Sequence, residues 1–441
     1  MNTSNALPPD SSVAVIGSGV AGLTAAHLLS ERHTVTLFEA DTRLGGHAHT
    51  QEVTTPEGDA VAVDTGFIVH NDRTYPTLLR LFAELGVATQ ETDMSMSVRS
   101  ESSGLEYAGA LGVGGLFPSW RTVRHGRYLW MLGEIRRFHR AARALLQSPG
   151  DDEPLHRFIR RERLSDYLVD NFLLPLVAAV WSCDAQTAAQ YPARYLFTFL
   201  DHHGMLSVFG SPTWRTVTGG SRTYVEAVAA GVTLSGGSLR IGEPVDLVTE
   251  KAGEVTVRAG GRADSFAAAV IATHPRQALD LLAAPTAAQR RVLTAIGYRS
   301  KHAVVHTDTS LLPHARRARA SWNYQIRDDG GEVAVTYDLT RLMRLPRRDH
   351  RILVTMGRTD LVAQPAVLAE MHYSHPVYDT GSVTAQQSLG AIDTDRLAFA
   401  GAYHGWGFHE DGAAAGARAG SRFGGRWRAG DPAVSASEVH A

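Results

Sequence analysis

Three glycines at fixed spacing and one acid downstream carry the clearest chemical signal in this chain. Gly17, Gly19 and Gly22 read G-x-G-x-x-G, and Glu39 follows about twenty residues on. That pattern suits a dinucleotide. Gly17 permits a tight turn, Gly19 lets bare backbone approach a pyrophosphate, and Gly22 lets a helix pack closely on a strand. Val20 and Ala21 open the helix, whose free N–H groups and positive dipole end face the phosphates. Glu39, with Ala40 after it, can accept hydrogen bonds from a ribose 2′-OH and would repel a 2′-phosphate. Arg43, Gly45, Gly46 and His47 then place a cation and more bare backbone near the same pyrophosphate.

Other residues have the types needed for proton chemistry. His404, His409, Glu410 and Asp411 crowd into one segment with Trp406 and Phe408. Histidine is the usual general acid or base near neutral pH. The alternative is that these groups only hold ligand or backbone. No metal site is expected, because no ligand pair at helical spacing accompanies them.

These residues need elements to hold them. Val13–Ile16 reads as a buried strand, Leu23–Leu29 as a helix, and Thr34–Phe38 as a second strand ending in Glu39. That order is the context in which the glycine motif is credible. Val61–Val69 reads as a strand entering a glycine turn. From Tyr75 to about Leu200 the pattern turns helical, with one helix ended by Gly86 and another over Tyr128–Leu146. Strand signals return at Val232–Leu234, Val245–Val248, Val255–Val257 and Phe266–Thr273. Further runs at Ala303–Val305, Val333–Val335 and Ile352–Val354 suggest a second sheet. Leu397–Gly401 reads as a last strand before an Ala-rich helix.

The expected architecture is α/β, with a discontinuous Rossmann-like nucleotide domain and an inserted α+β substrate domain. The nucleotide domain takes residues 12–75, 206–290 and 391–428. The insert takes 76–205, mainly helical, and 291–390, a sheet plus helices; 429–441 forms a tail. At 441 residues, two or three domains are expected.

The net charge of −2 predicts no general attraction to nucleic acid. One cysteine, Cys183, excludes a disulfide framework and any Cys-rich metal cluster. No signal-peptide pattern or apolar run of membrane-spanning length is read, so a cytoplasmic location is expected. Trp120–Arg143 carries seven arginines against Glu134, interleaved with aromatics. It is read either as a solvated helix face or as a peripheral contact with an anionic membrane.

Taken together, these motifs resemble the flavin-dependent amine oxidase and phytoene desaturase superfamily over nearly the whole length. The resemblance rests on Gly17–Gly22 with Glu39, Arg43-Leu44-Gly45-Gly46, Asp64-Thr65-Gly66, Pro244-Val245, and Phe399-Ala400-Gly401 with Gly412. The runs Asp64–Asn71 and Gly407–Gly412 resemble a bacterial subgroup of FAD-binding proteins, often encoded beside methyltransferases of the cyclopropane-fatty-acid-synthase type. The resemblance implies FAD. Gly17, Gly19, Gly22 and Arg43 would bind its pyrophosphate, Glu39 its ribose and Val245 its adenine, while Gly66, Phe67 and Ile68 would pass the isoalloxazine ring. Thr273, Gly401 and Gly412 would close the cofactor site.

The resemblance also assigns chemistry. Lys301 is similar to the lysine that holds a water near the flavin N5 in amine oxidases, and a solvated lysine is the plainer reading. Phe408 and Tyr378 would form two aromatic walls, with core packing as the alternative. Three departures stand out. Ala402 and Tyr403 replace the usual acid after Gly401, which leaves Glu410 or Asp411 as partners for the ribityl hydroxyls. Cys183 lies far from the position of thioether attachment, so FAD is not expected to be held through cysteine. Gly109–Gly115 has neither the preceding strand nor the following helix of a second nucleotide site. The implied activity is therefore dehydrogenation of an apolar small molecule, such as a fatty acyl chain, with oxygen or another electron acceptor restoring the flavin. Amine or amino-acid oxidation, flavin-dependent isomerisation and a non-catalytic FAD-binding accessory role are the alternatives.

Overall fold

The computed structural model describes residues 6–150, 152–181, 185–207, 210–327, 334–346 and 350–428. Cys183, Val333 and the 429–441 tail lie outside them. At the centre is a five-stranded parallel sheet in the order Ser238–Ile241, Thr34–Glu39, Ser12–Ile16, Ala268–Ile271, Leu397–Phe399. Strand Ser12–Ile16 is apolar and buried from Val13 on, as a strand covered on both faces requires. Its neighbours, Thr34–Glu39 and Ala268–Ile271, are more than 200 residues apart, and Leu397–Phe399 joins later still, so the chain leaves the sheet and returns. A three-stranded antiparallel meander, Val245–Lys251, Glu254–Ala259 and Arg262–Phe266, fills the crossover before Ala268–Ile271.

A second sheet has seven strands, in the order Val367–Val377, Gly297–His306, Leu353–Met356, Ala334–Asp338, Trp322–Ile326, Met96–Ser100, Glu106–Tyr107. Helices Gly126–Gln147 and Ala193–His202 pack around one core cluster with this sheet. The stretch read as helical thus also contributes two strands to this sheet, and a third, Thr89–Glu91, to another. One segment read as a strand is helical. Val232–Leu234 closes helix Arg222–Leu234, where Tyr224, Val225, Val228 and Val232 are buried at helical spacing. β-Branched residues suggested a strand, and packing of one helix face overrides that weak preference. Gly109–Gly115 also differs from expectation. The short strand Glu106–Tyr107 precedes it, and the segment itself forms a single turn, Gly109–Leu111, and a five-residue helix, Gly112–Leu116. That strand is antiparallel to Met96–Ser100 at a sheet edge, so the segment is still no second nucleotide cradle.

Helix His409–Arg422 lies against helix Val20–Leu29 through a stripe of glycines. A Cβ at Gly412 would come within 2.6 Å of Val20 Cγ1, and one at Gly416 within 2.1 Å of the Ala21 carbonyl oxygen. Only glycine permits that approach. The helix begins at His409, three residues before Gly412, because the Asp411 carboxylate accepts the Phe408 N–H and caps its first turn.

Candidate active site

A cavity of about 830 Å³ runs along the C-terminal edge of the parallel sheet and under the seven-stranded sheet. Gly17, Gly19, Val20, Ala21, Glu39, Ala40, Arg43 and Gly46 line one end. The glycine roles are visible in the geometry. Gly17 sits at φ +98°, and a Cβ there would lie 2.8 Å from the Ala272 carbonyl oxygen. A Cβ at Gly22 would strike the Gly17 carbonyl oxygen at 1.9 Å. Gly19 caps helix Val20–Leu29 and has open space where a side chain would go. That helix has no acid in its first turn, so its leading N–H groups remain available. Glu39 accepts from the Ser18 N–H at 2.9 Å and from Ser18 Oγ. Gly45, at φ +109°, donates to the Ser18 carbonyl at 3.1 Å, which draws the Arg43 loop over the cradle. Val245 and Thr273 complete this end.

The middle of the wall is rich in imidazole. His47 lies 5.1 Å from Tyr373 and 5.4 Å from His375, ring centre to ring centre. Its carbonyl accepts the Phe67 N–H at 2.8 Å, and a Cβ at Gly66 would come within 2.3 Å of that same oxygen. Burial pushes His47 well below its ordinary value and holds His274 and His375 at about 4. All three are neutral at pH 7. Tyr373 Oη meets Thr65 Oγ1 at 2.6 Å and His49 Nδ1 at 3.0 Å, and His49 Nε2 meets Gln51 at 2.8 Å. Arg43 Nη1, His47 Nε2, His375 Nδ1 and Tyr403 Oη are buried without a hydrogen-bond partner among the described residues. Orphaned polar atoms on a cavity wall call for a ligand.

Aromatic rings close the far end. Phe408 stacks on Phe199 at 4.7 Å, and Trp181 stands 6.2 Å from Phe408. Phe67 stacks on His409 at 3.7 Å, nearly parallel. His409 Nε2 bonds to Tyr224 Oη at 2.8 Å, and burial pushes its imidazole down to about 3. Ile68 and Gly401 also face the cavity. Gly401 has no room for a side chain, since a Cβ would lie 2.4 Å from the Tyr403 ring.

Several expected residues stand elsewhere. Tyr378 is fully buried behind the wall, its ring 5.2 Å from Tyr195, and does not pair with Phe408 across the cavity. Glu410 accepts the N–H groups of Thr77 and Leu78, both at 2.9 Å, and so caps helix Pro76–Leu85. Asp411 holds the 406–408 loop through backbone N–H groups. Neither carboxyl reaches the cavity, and burial raises both to about 7. His404, pushed to about 3 by burial, and Gly412 also sit off the wall. Lys301 stands opposite Tyr373 on the same sheet face, and its charge helps lower His375. It is not part of the lining. The thioether question concerns Cys183, outside the described residues.

The sequence reading missed Tyr373, His375, His274, Phe199 and His203, all on the wall. Signals existed for some. Tyr373 and His375 alternate on one strand, and Phe199 and His203 stand one helical turn apart.

The cradle at Gly19, the orphaned Arg43 Nη1 and the large cavity fit FAD, whose pyrophosphate these groups would hold. Comparison with solved structures agrees on the fold. A cyclohexylamine oxidase from Brevibacterium oxydans IH-35A superposes with a TM-score of 0.68 at 16% identity, covering 94% of this chain and 99% of that one. Wild-type putrescine oxidase bound to putrescine gives 0.65 at 15%, covering 93% and 98%. A CLA-producing fatty acid isomerase from P. acnes gives 0.65 at 15%, covering 94% and 99%. The family model for flavin containing amine oxidoreductases matches residues 20–305. With its cofactor cradle in place and that match over more than half its length, the chain belongs to the flavin-containing amine oxidoreductase family and is an FAD-dependent oxidoreductase.

Proposed function

We propose that the protein dehydrogenates an apolar substrate, such as a fatty acyl chain or natural-product intermediate, to form a C=C bond. The observation that carries this reading is the distribution of charge along the cavity. The carboxylates on its wall are Glu39, Asp41, Glu243 and Asp280. Glu243 is tied to Glu39 by a 3.0 Å backbone bond. Asp280 sits on helix Pro275–Leu281, which is followed by the Ala283 bond to Val248 of the meander. All four therefore belong to the Glu39 end. The far end presents Phe199, Phe408, Trp181, Trp406 and Met205, and among the described residues no carboxylate stands there to receive an ammonium group. An apolar chain gains about 25 cal/mol per Å² of surface buried there.

FAD, when bound, supplies the hydride acceptor. The chain's own residues orient and protect. Phe408 and Phe199 fix the substrate against the wall and exclude water. His375 Nδ1, neutral and without a hydrogen-bond partner among the described residues, would take the proton. Its low basicity favours passing the proton on rather than holding it. Tyr373 Oη, His49 and Gln51 form a hydrogen-bonded path leading off the wall.

Amine oxidation is the second reading. The faces of Trp181 and Trp406 favour it, since they suit an uncharged amine or hold a charged one by cation–π attraction. Anaerobic mixing of the yellow protein with saturated acyl compounds or with amines separates the two. Bleaching by acyl compounds is the expected result. Bleaching by amines alone overturns the proposal, and turnover without net use of oxidant replaces it with isomerisation. Failure of every compound to bleach the flavin supports a non-catalytic role.

A further inference from the structure

The surface formed by Val113 to Arg140 has no part in the cavity, yet it carries an unusual exposure. Seven large apolar side chains are exposed among the described residues, and Val113, Trp120, Val123, Leu129 and Trp130 are five of them. Trp120 is 66% and Trp130 75% accessible. The three segments bearing them are held together. Helix Trp120–Val123 joins helix Gly126–Gln147 through two residues, and Tyr128 Oη donates to the Leu116 carbonyl at 2.9 Å. Isolated exposed apolar residues need no explanation, but a cluster does.

The exposed charge on the segments that bear the cluster is positive. Arg121, Arg124, Arg127, Arg136 and Arg140 are exposed, and among the described residues none has a carboxylate within 4.0 Å. Arg124 lies over the Trp120 ring at 5.0 Å, so cation and indole share one surface. The only acid in the segment, Glu134, points inward, where its carboxylate accepts the Ser165 N–H at 2.8 Å and Ser165 Oγ. Asp166 and Asp170 are exposed on the adjoining turns and pair with none of these arginines. Helix Gly126–Gln147 buries Tyr128, Met131, Phe138 and Ala142 and turns Trp130, Arg137 and Arg140 outward. No helix among the described residues is long and apolar enough to cross a membrane. Indole rings beside unpaired guanidinium groups match the boundary between acyl chains and anionic headgroups.

We infer that this face docks the protein on an anionic phospholipid surface, with Trp120 and Trp130 entering the headgroup layer and Arg121, Arg124 and Arg127 facing the phosphates. The reading is independent of the substrate.

Flotation of the FAD-loaded full chain with phosphatidylcholine vesicles, with and without phosphatidylglycerol, tests it. The protein should float with the anionic vesicles only and be released by high salt. Each arginine near such a surface contributes about fivefold in partitioning, so R121Q/R124Q/R127Q together should lower it about a hundredfold. W120A/W130A should lower it at least tenfold while flavin absorbance and melting stay those of the parent. No flotation, equal flotation with phosphatidylcholine alone, or unchanged flotation of both variants overturns the inference. So does a dimer in solution that W130A dissolves, or tighter binding to single-stranded DNA than to vesicles.

Discussion

Arg43→Met separates holding the fold from holding the cofactor. Arg43 Nη1 is buried and has no hydrogen-bond partner among the described residues. Its Nε lies 3.5 Å from Asp41 Oδ2, but those side chains are 34% and 55% exposed. An exposed pair of that kind contributes about 0–1 kcal/mol. The cofactor-free protein should therefore melt close to the parent. A charge-assisted hydrogen bond to phosphate is worth about 1.5–3 kcal/mol, which is roughly 10- to 150-fold in Kd. Among the described residues no lysine or other arginine lines the cavity, and burial keeps the neighbouring His47 and His375 neutral, so neither compensates. Arg43→Lys should fall between, because it keeps the charge and loses the fork. Titration of the cofactor-free protein with FAD, followed by flavin fluorescence, gives the Kd. Melting curves with and without FAD give the linked stabilisation. FAD affinity equal to the parent's would refute the reasoning. So would a cofactor-free Arg43→Met protein several kcal/mol less stable, which would make Arg43 a structural residue.

Gly416→Ala puts a Cβ 2.1 Å from the Ala21 carbonyl and should push the two helices apart, costing about 1–3 kcal/mol and weakening FAD retention. Thermal melting with flavin counting checks it, and a parent-like result removes the glycine stripe from the argument. Phe408→Ala removes the ring stacked on Phe199 and should raise KM for an apolar substrate about tenfold or more, more than it lowers kcat; Tyr378→Phe, behind the wall, should leave both unchanged. Asp411 rises from 3.8 to about 7 on folding because burial penalises its charge. The folded state then binds the proton more tightly, so this contribution is full below about pH 4, declines as pH rises and is gone above about 7. The shift corresponds to a span of roughly 4 kcal/mol. Asp411→Asn should flatten the fall in stability between about pH 4 and 7 in urea melts, and an unaltered slope assigns it to other groups.

What could be read in the sequence follows from how local each cause is. Gly17 and Gly22 were legible because the atoms they must avoid belong to the same strand–turn–helix unit or to the strand beside it. The Asp64-Thr65-Gly66 turn was legible as a turn, but the job of Asp64 was not. Its carboxylate accepts from the Ser221 N–H and Oγ, 157 residues away, and holds the start of helix Arg222–Leu234. Glu410 shows the same limit, because its partners Thr77 and Leu78 lie more than 300 residues distant. A side chain's type says what it can bond, and only the packing of distant segments says what it does bond. Tyr378 and His375 make the point within one motif. Two residues separate them: His375 lies on strand Val367–Val377 and lines the wall, whereas Tyr378 follows the strand's end and packs behind it against Tyr195.

The same packing explains how a cavity crowded with histidines remains nearly free of positive charge. His47, His274, His375 and His409 all line it, and burial holds every one of them neutral at pH 7. Positive potential for the phosphates of FAD would therefore come from Arg43 and the N-terminus of helix Val20–Leu29, both at the Glu39 end. Beyond His47 the described wall residues include no lysine, arginine or carboxylate. Phosphate binding and C–H chemistry thus make opposite electrostatic demands on one continuous cavity, and burial satisfies both. A single protonated imidazole at position 375 would reverse that division, favouring an anionic head group over an apolar chain. His375→Lys should therefore shift preference from uncharged toward carboxylate-bearing substrates, and retention of the parent's order would show that charge at this point does not govern selection.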